Sequence, residues 1–298
     1  FFLAVLTLTF ADPIASIIGS RSKHHFIPWI DKKSINGSLA MFCTTFIIIT
    51  IGTDAMARYY GSSFYLPLHI LIGLAIFTSM CATLSEIISY KGSDNLTIPL
   101  ISFFSYEIFL INYTHGNLFH LLIWTILSLL IFTCAYKYKS LDFSGAIGGF
   151  LIGALIFGSG GWKLILPLVF FFLSSSLLSS LKNKPPSNRD VMQILANGSI
   201  PALFALCYFF FPSKILLLGY IGSLSASTAD TWATEIGFLS KKNPYLVFSF
   251  KQVSKGESGS ISAIGTIGSI AGAFILGIMC SYLFTINYLI VMVGIAGC

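Results

Sequence analysis

Nearly the whole chain is written in long apolar runs with few charges between them. Runs of spanning or near-spanning length cover 38–53, 66–83, 96–113, 118–136, 143–158, 163–181, 191–212, 214–226, 260–285 and 286–298, with 1–18 as an incomplete one. A helix needs about 20 residues, and at least ~17, to cross a bilayer. The runs are continuously apolar and do not alternate with period two, so helices are expected and a barrel is not. Only 9% of the 298 residues are charged, against roughly 25% in a soluble chain. A soluble fold of this length could not cover its surface with so few charges, whereas lipid-facing surface needs none. The expected fold is an all-α polytopic transmembrane helical bundle of about 9–11 membrane segments. The runs at 38–53 and 214–226 are short, which predicts short or broken helices there. Both ends lie inside apolar runs, which predicts further helices on either side.

Threading the runs alternately sorts the cations. One side receives 14 of the 17 Lys and Arg, and the other receives only Arg58, Lys163 and Lys214. Such asymmetry marks the rich side as cytoplasmic. Nine of the eleven acidic residues fall at or near that side; Asp54 and Glu107 do not. Carboxylates are not sorted by the insertion rule. A polar active site on that face would gather them, and so would longer loops. The net charge of +6 is too dilute for nucleic-acid binding and suits anionic lipid heads or a phosphorylated substrate. Six scattered cysteines lack CxxC spacing, so free thiols are expected and neither a disulfide framework nor a zinc site. Tyr136–Ser140 forms a polar seam that divides the chain into 1–136 and 137–298, and no clear internal repeat is evident between the two.

In the first part, Asp12 closes a helix at the membrane edge. A basic loop with Lys23 and Lys33 follows, then Ser34, able to cap the next helix, and Gly37, where backbone N–H groups could approach an anion. A carboxylate facing a basic loop is what a Mg²⁺-bound nucleotide needs; a positive-inside loop with a helix cap would look much the same. The pattern A-D-x-x-A-x-x-x-G…K…K-S-x-x-G-S resembles the CTP-dependent lipid-alcohol kinases, including dolichol kinase and phytol kinase. Glu86 and Asp94-Asn95-Leu96-Thr97-Ile98-Pro99 resemble a second element of those kinases. The resemblance implies that Asp12, Lys23, Lys33, Ser34, Gly37, Asp94 and Asn95 serve nucleotide and metal. Asn36 stands where such kinases carry an acidic residue.

In the second part, Asn197-Gly198-Ser199-Ile200-Pro201 interrupts an apolar run, which predicts a broken helix lining a polar cavity. Asp230 and Glu235 lie among hydroxyls with no Lys or Arg in their segment. Oxygen-only ligands of this kind suit Mg²⁺; a solvated helix end is the plainer alternative. Gly256, Ser258, Gly259 and Ser260 precede another apolar helix and could cradle phosphate. Residues from about 139 to 285 resemble the integral membrane family that contains the plant phytyl-phosphate kinase. The motifs that carry the likeness are Asp142–Ala146, Arg189…Gln193…Asn197-Gly198, Ala229–Gly237 and Gly256…Gly265.

Together these resemblances imply phosphorylation of a long-chain isoprenoid alcohol and then of its monophosphate, with Mg²⁺ and CTP or another nucleoside triphosphate. Asp12, Asp94, Asp230 and Glu235 would be the catalytic and metal-holding carboxylates. A CDP-lipid-forming cytidylyltransferase and a transporter are the alternatives. A bacterial inner membrane, or a plastid membrane in a plant, is the expected location.

Overall fold

The computed structural model describes residues 1–22, 33–61, 65–181, 188–240, 243–247, 249, 251–257 and 259–285. Lys23 and Ser258 lie outside the described residues, as does the run 286–298. The protein is a polytopic helical bundle. Its helices are α1 (Phe2–Leu6), α2 (Asp12–Ser20), α3 (Ile35–Tyr60), α4 (Leu68–Ile88), α5 (Asp94–Thr114), α6 (Leu118–Lys137), α7 (Phe143–Ser180), α8 (Val191–Phe210), α9 (Lys214–Leu239) and α10 (Ala263–Phe284). A π-helical turn, Thr7–Ala11, joins α1 to α2, so Phe2–Ser20 is one span. Among the described residues, eight helical segments are long and apolar enough to cross a membrane. The strands are two residues long: β1 (Tyr245–Leu246) pairs antiparallel with β2 (Ser260–Ile261).

Helix prevails because hydrocarbon offers backbone groups no partners outside the segment itself. Five helices begin on a side-chain cap. Ser34, Asp142, Asp190, Ser213 and Ser262 accept from the backbone N–H groups of Gly37, Gly145, Gln193, Leu216 and Gly265. Large apolar residues such as Ile47, Ile51, Leu122 and Leu130 stay exposed, as lipid-facing side chains do.

The chain divides into two compact units, Phe1–Leu129 with Ala146–Leu151, and Leu130–Gly145 with Ile152–Cys298. In the first unit α2 packs on α3, α3 on α4 and α4 on α5. Ala11, Ala15, Met41, Ala82 and Ile98 form a buried cluster between them. In the second unit α9 packs against both α8 and α10.

Three expectations about helices need correction. The run at 38–53 belongs to α3, 26 residues long, and that at 214–226 belongs to α9, also 26 residues. Their polar ends had masked their length. At Asn197 the helix α8 is continuous and holds Pro201 inside it. Proline deprives the carbonyl four residues back of its helical donor. Here that carbonyl belongs to Asn197, and Ser227 Oγ of α9 donates to it at 3.1 Å. A neighbouring helix therefore repairs the defect, and no break follows.

The separation of 143–158 from 163–181 does correspond to a break in α7. Gly160 and Gly161 leave helical geometry there, Gly161 with φ 59°. Ser140 Oγ donates to Ser176 Oγ at 3.0 Å. An unbroken helix would separate those residues by about 54 Å, so the chain reverses at the two glycines and α7 is a helical hairpin.

Candidate functional sites

In the first unit, α2, α4 and α5 bring three carboxylates within reach of one another's charge, and one of them is paired with a lysine. Lys33 Nζ lies 2.6 Å from Glu86 Oε1, with both side chains largely buried. The charges of Asp12 and Asp94 lie close enough to act on one another and on Glu86, and Asp12 also feels Lys33. Glu86 Oε2 is buried and has no hydrogen-bond partner among the described residues. The π turn ends at Ala11 and the helix continues through Asp12 to Ser20, so Asp12 lies within the span and does not close it, contrary to expectation. Such turns widen a helix by one residue and recur at functional sites. Asp12, Lys33 and Asp94 are thus brought together as a group. Glu86, quoted in the second motif but given no role from it, sits at their centre. Asn95 is exposed beside Asp94, whose Oδ1 accepts its backbone N–H at 3.0 Å.

Ser34 and Gly37 do something other than cradle an anion. Ser34 Oγ is buried; it accepts the Gly37 N–H at 3.2 Å and donates to Gly19 O at 3.4 Å. A Cβ on Gly37 would lie 2.9 Å from Ala15 O and 3.2 Å from Gly19 Cα. The N–H expected to meet phosphate is engaged, and the missing side chain lets α2 and α3 touch.

In the second unit the described residues of the candidate set, Asn197, Asp230, Glu235, Gly256, Gly259 and Ser260, are spread along α8, α9 and the stretch before α10. α9 runs unbroken through Asp230 and Glu235. Five residues at about 100° each place them roughly 140° apart around the helix. Asp230 is exposed and Glu235 is buried, so they do not share one metal ion. Asn197 is half-buried on α8, its amide nitrogen donating to Gln193 O at 3.1 Å, with its carbonyl held by Ser227, three residues before Asp230. The Gly256–Ser260 turn belongs to the far end of α9, about 13 Å along the axis from Asp230. Lys255 Nζ donates there to the Phe238 and Ser240 carbonyls, and cations suit helix C-termini. Ser260 gives both its N–H and its hydroxyl to Glu257 O, at 3.3 and 2.7 Å. Gly259 O accepts from Val247 N. The N–H and hydroxyl of Ser260 are thus engaged within the chain and are not free for phosphate.

Sequence reasoning gave Arg189 no role, although it is the best-held charge of this unit. Its N–H donates to Ser140 O at 3.3 Å, and its carbonyl accepts from Asp142 N at 3.0 Å. A Cβ on Gly145 would overlap that carbonyl. Asp142 Oδ1 accepts from Ser144 Oγ and Gly145 N, and Ser144 Oγ accepts from Val191 N, which locks α7 to α8 around Arg189. The guanidinium donates to Ser175 O at 3.2 Å and stands 4.0 Å from Glu235 Oε1. Burial pulls it below its usual value, and Glu235 opposes that. Trp232 Nε1 donates to Ser174 Oγ at 3.1 Å. Ser175 Oγ is fully buried and has no hydrogen-bond partner among the described residues. The signal in the sequence was the Ser174–Ser176 run at the end of an apolar span, opposite an arginine.

Among the described residues no three His, Cys, Asp or Glu side chains form a metal-holding group. The five described cysteines are free. Glu107 lines a cavity of 520 Å³ in the first unit with Thr53, Tyr65, Ser102 and Tyr106.

The helices, the lipid-facing surface and these polar ends define a polytopic integral membrane protein. The chain belongs to the integral membrane protein family DUF92, whose model matches residues 126–298. It is 36% identical over 168 residues to an uncharacterized membrane protein of Methanocaldococcus jannaschii, covering 54% of this chain and 70% of that one. It is 32% identical over 183 residues to Protein PGR of Arabidopsis thaliana, covering 54% of this chain and 64% of that one. It is 25% identical over 154 residues to the chloroplastic Protein VTE6 of Arabidopsis thaliana, covering 46% of this chain and 45% of that one. No solved structure matches the chain.

Proposed function

We propose that the protein is a membrane-embedded phosphotransferase. It moves a phosphoryl group from CTP or another nucleoside triphosphate to an isoprenoid alcohol in the first part, 1–136. In the second, 137–298, it acts on the resulting monophosphate. One observation carries this reading: Asp12, Glu86 and Asp94 lie close enough for their charges to act on one another, and Glu86 is paired with Lys33 at 2.6 Å. Their motifs are those that resemble the lipid-alcohol kinases. Phosphoryl transfer asks a protein for positioning and charge neutralisation, and carboxylates with Lys33 among them suit both.

Mg²⁺ fits the donor set, because every donor is oxygen and Mg²⁺ binds through one or two carboxylates plus phosphate and water. Asp12 and Asp94 would hold it in the first unit, and Asp230 in the second. When bound it would neutralise charge on the phosphates. The charge count puts both sets of loops on the cytoplasmic side, of a bacterial inner membrane or a plastid membrane. A product of the first part stays in the membrane plane, where the second reaction would also take place.

The test is to incubate the purified protein with phytol or phytyl phosphate, Mg²⁺ and each nucleoside triphosphate, and to weigh the lipid products. The reading expects monophosphate from the alcohol and diphosphate from the monophosphate. A CDP-lipid would mark a cytidylyltransferase instead. Unchanged lipid, together with gradient-driven flux in proteoliposomes, would mark a transporter.

A further inference from the structure

The two units contain the same helix crossing, residue for residue. In the first, Ala11-Asp12-x-x-Ala15-x-x-x-Gly19 is crossed by Ser34-x-x-Gly37-Ser38. In the second, Ala229-Asp230-x-x-Ala233-x-x-x-Gly237 is crossed by Ser262-x-x-Gly265-Thr266. The geometry repeats as well. Gly37 N donates to Ser34 Oγ at 3.2 Å, and Gly265 N to Ser262 Oγ at 3.1 Å. A Cβ on Gly37 would stand 2.9 Å from Ala15 O, and one on Gly265 would stand 2.9 Å from Ala233 O. A Cβ on Gly19 would be 3.5 Å from Gly37 Cα, and one on Gly237 would be 3.6 Å from Gly265 Cα. Asp12 and Asp230 each lie seven residues, about two turns, before their crossing glycine. The repeat escapes linear inspection because the connectors differ in length. A further recurring pattern, N-x-[ST]-I-P at Asn95 and Asn197, follows the crossing in one unit and precedes it in the other. That pattern buries Ile98 in one unit and Gly198 and Pro201 in the other, so the shared geometry stops at the crossing pair.

The buried charge beside the crossing is not shared. The first unit has Lys33, Glu86 and Asp94. The positions matching Lys33 and Asp94 are Ile261 and Ala196, taking Asn95 with Asn197. The second unit instead has Arg189 with Glu235 and the unpartnered Ser175 hydroxyl. Two consecutive phosphorylations share a co-substrate and differ in their acceptor. An alcohol must lose its proton as it attacks. A phosphate monoester already carries a nucleophilic oxygen, but its charge repels the incoming triphosphate.

We infer that the two units are copies of one module, in which the shared aspartates serve the nucleoside triphosphate and the unshared buried charges read the acceptor. Resting on the function proposed above, this gives each residue a role. In the first unit the alcohol oxygen bonds to the γ-phosphorus, the bond to the β-bridging oxygen breaks, the proton passes to Glu86 Oε2 and the nucleoside diphosphate leaves. In the second, a monoester oxygen makes the same displacement with no proton to remove, while Arg189 and the Ser175 hydroxyl hold the monoester. Guanidinium is suited to this because its planar fork matches phosphate.

The test uses the full-length protein in nanodiscs. Equilibrium dialysis with a non-hydrolysable nucleoside triphosphate analogue and Mg²⁺ counts sites, and rates are measured separately with alcohol and with monophosphate. The expected result is two nucleotides per chain, falling to one in Asp12→Asn and to one in Asp230→Asn. Glu86→Gln is expected to lower kcat for the alcohol at least 100-fold, with the monophosphate rate within twofold. Arg189→Gln is expected to raise KM for the monophosphate at least tenfold, with partial rescue by Arg189→Lys and the alcohol rate within twofold. Two nucleotides still bound per chain by Glu86→Gln and by Arg189→Gln would show that the altered unit is folded. One nucleotide per chain, unaffected by Asp230→Asn, would overturn the inference and leave phosphotransfer standing. So would Glu86→Gln and Arg189→Gln variants that slow both acceptors alike. No nucleotide bound at all would sink the proposed function and this inference with it.

Discussion

Lys33 and Glu86 show how a single buried pair can be read two ways. Their contact is 2.6 Å, and Glu86 keeps its other oxygen unpartnered among the described residues. Removing one member of a buried pair strands the other charge at a cost of about 3–5 kcal/mol, whereas replacing both with apolar groups is often neutral. Lys33→Met should therefore lower the unfolding midpoint in detergent markedly, and Lys33→Met with Glu86→Leu should recover most of it. Recovery of stability without recovery of activity would separate a functional pair from a structural one. Gly37 and Gly265 belong to the same scale. A methyl group at either would press on a backbone carbonyl 2.9 Å away. Crowding of this kind costs about 1–3 kcal/mol, so Gly37→Ala and Gly265→Ala should each destabilise the protein by that order in thermal unfolding, and a neutral effect would deny the close crossing. Ser227 serves the carbonyl that Pro201 leaves without a donor. Ser227→Ala should cost about 1–3 kcal/mol, the range for an unpaired buried polar group.

At the scale of elements, continuous apolar runs were legible and their polar ends were not. α4, α5, α6 and α8 fall where hydropathy puts them, because nothing but helix satisfies backbone groups in lipid. α9 was read short because its second half carries Ser225, Ser227, Thr228, Asp230, Thr231, Thr234 and Glu235. Packing buries Ser225, Thr228 and Glu235 of that half, which one-dimensional hydropathy cannot register, while Asp230 and Thr234 stay exposed. Asn197 was read as a break for a related reason, since the donor that mends it comes from another helix. The reversal in α7 was legible because Gly160-Gly161 and Lys163 interrupt the apolar run together. It makes a direct prediction. Ser140→Cys with Ser176→Cys should cross-link on mild oxidation, since the two hydroxyls are 3.0 Å apart. An unlinked double variant would contradict the hairpin.

For the whole molecule, the first-unit site was largely legible because its residues sit in short motifs whose spacing survives folding. Asp12, Lys33 and Asp94 come together, and Glu86 joins them. The second-unit site was less so. Asp230 and Glu235 are neighbours in sequence but point apart on one helix, while Arg189 meets Ser175 and Glu235 only through the hairpin of α7. Charge asymmetry gives a test of orientation: single cysteines at Lys139 and Lys255 should react with an impermeant thiol reagent from the cytoplasmic side only, and one at Lys214 from the opposite side only. The central claim is transfer of a terminal phosphoryl group to lipid. The most direct measurement offers the protein an isoprenoid alcohol with Mg²⁺ and nucleoside triphosphate labelled either at the α- or at the γ-phosphorus. Label should reach the lipid from the γ position alone. Lipid labelled from the α position, or not labelled from either, would contradict the account.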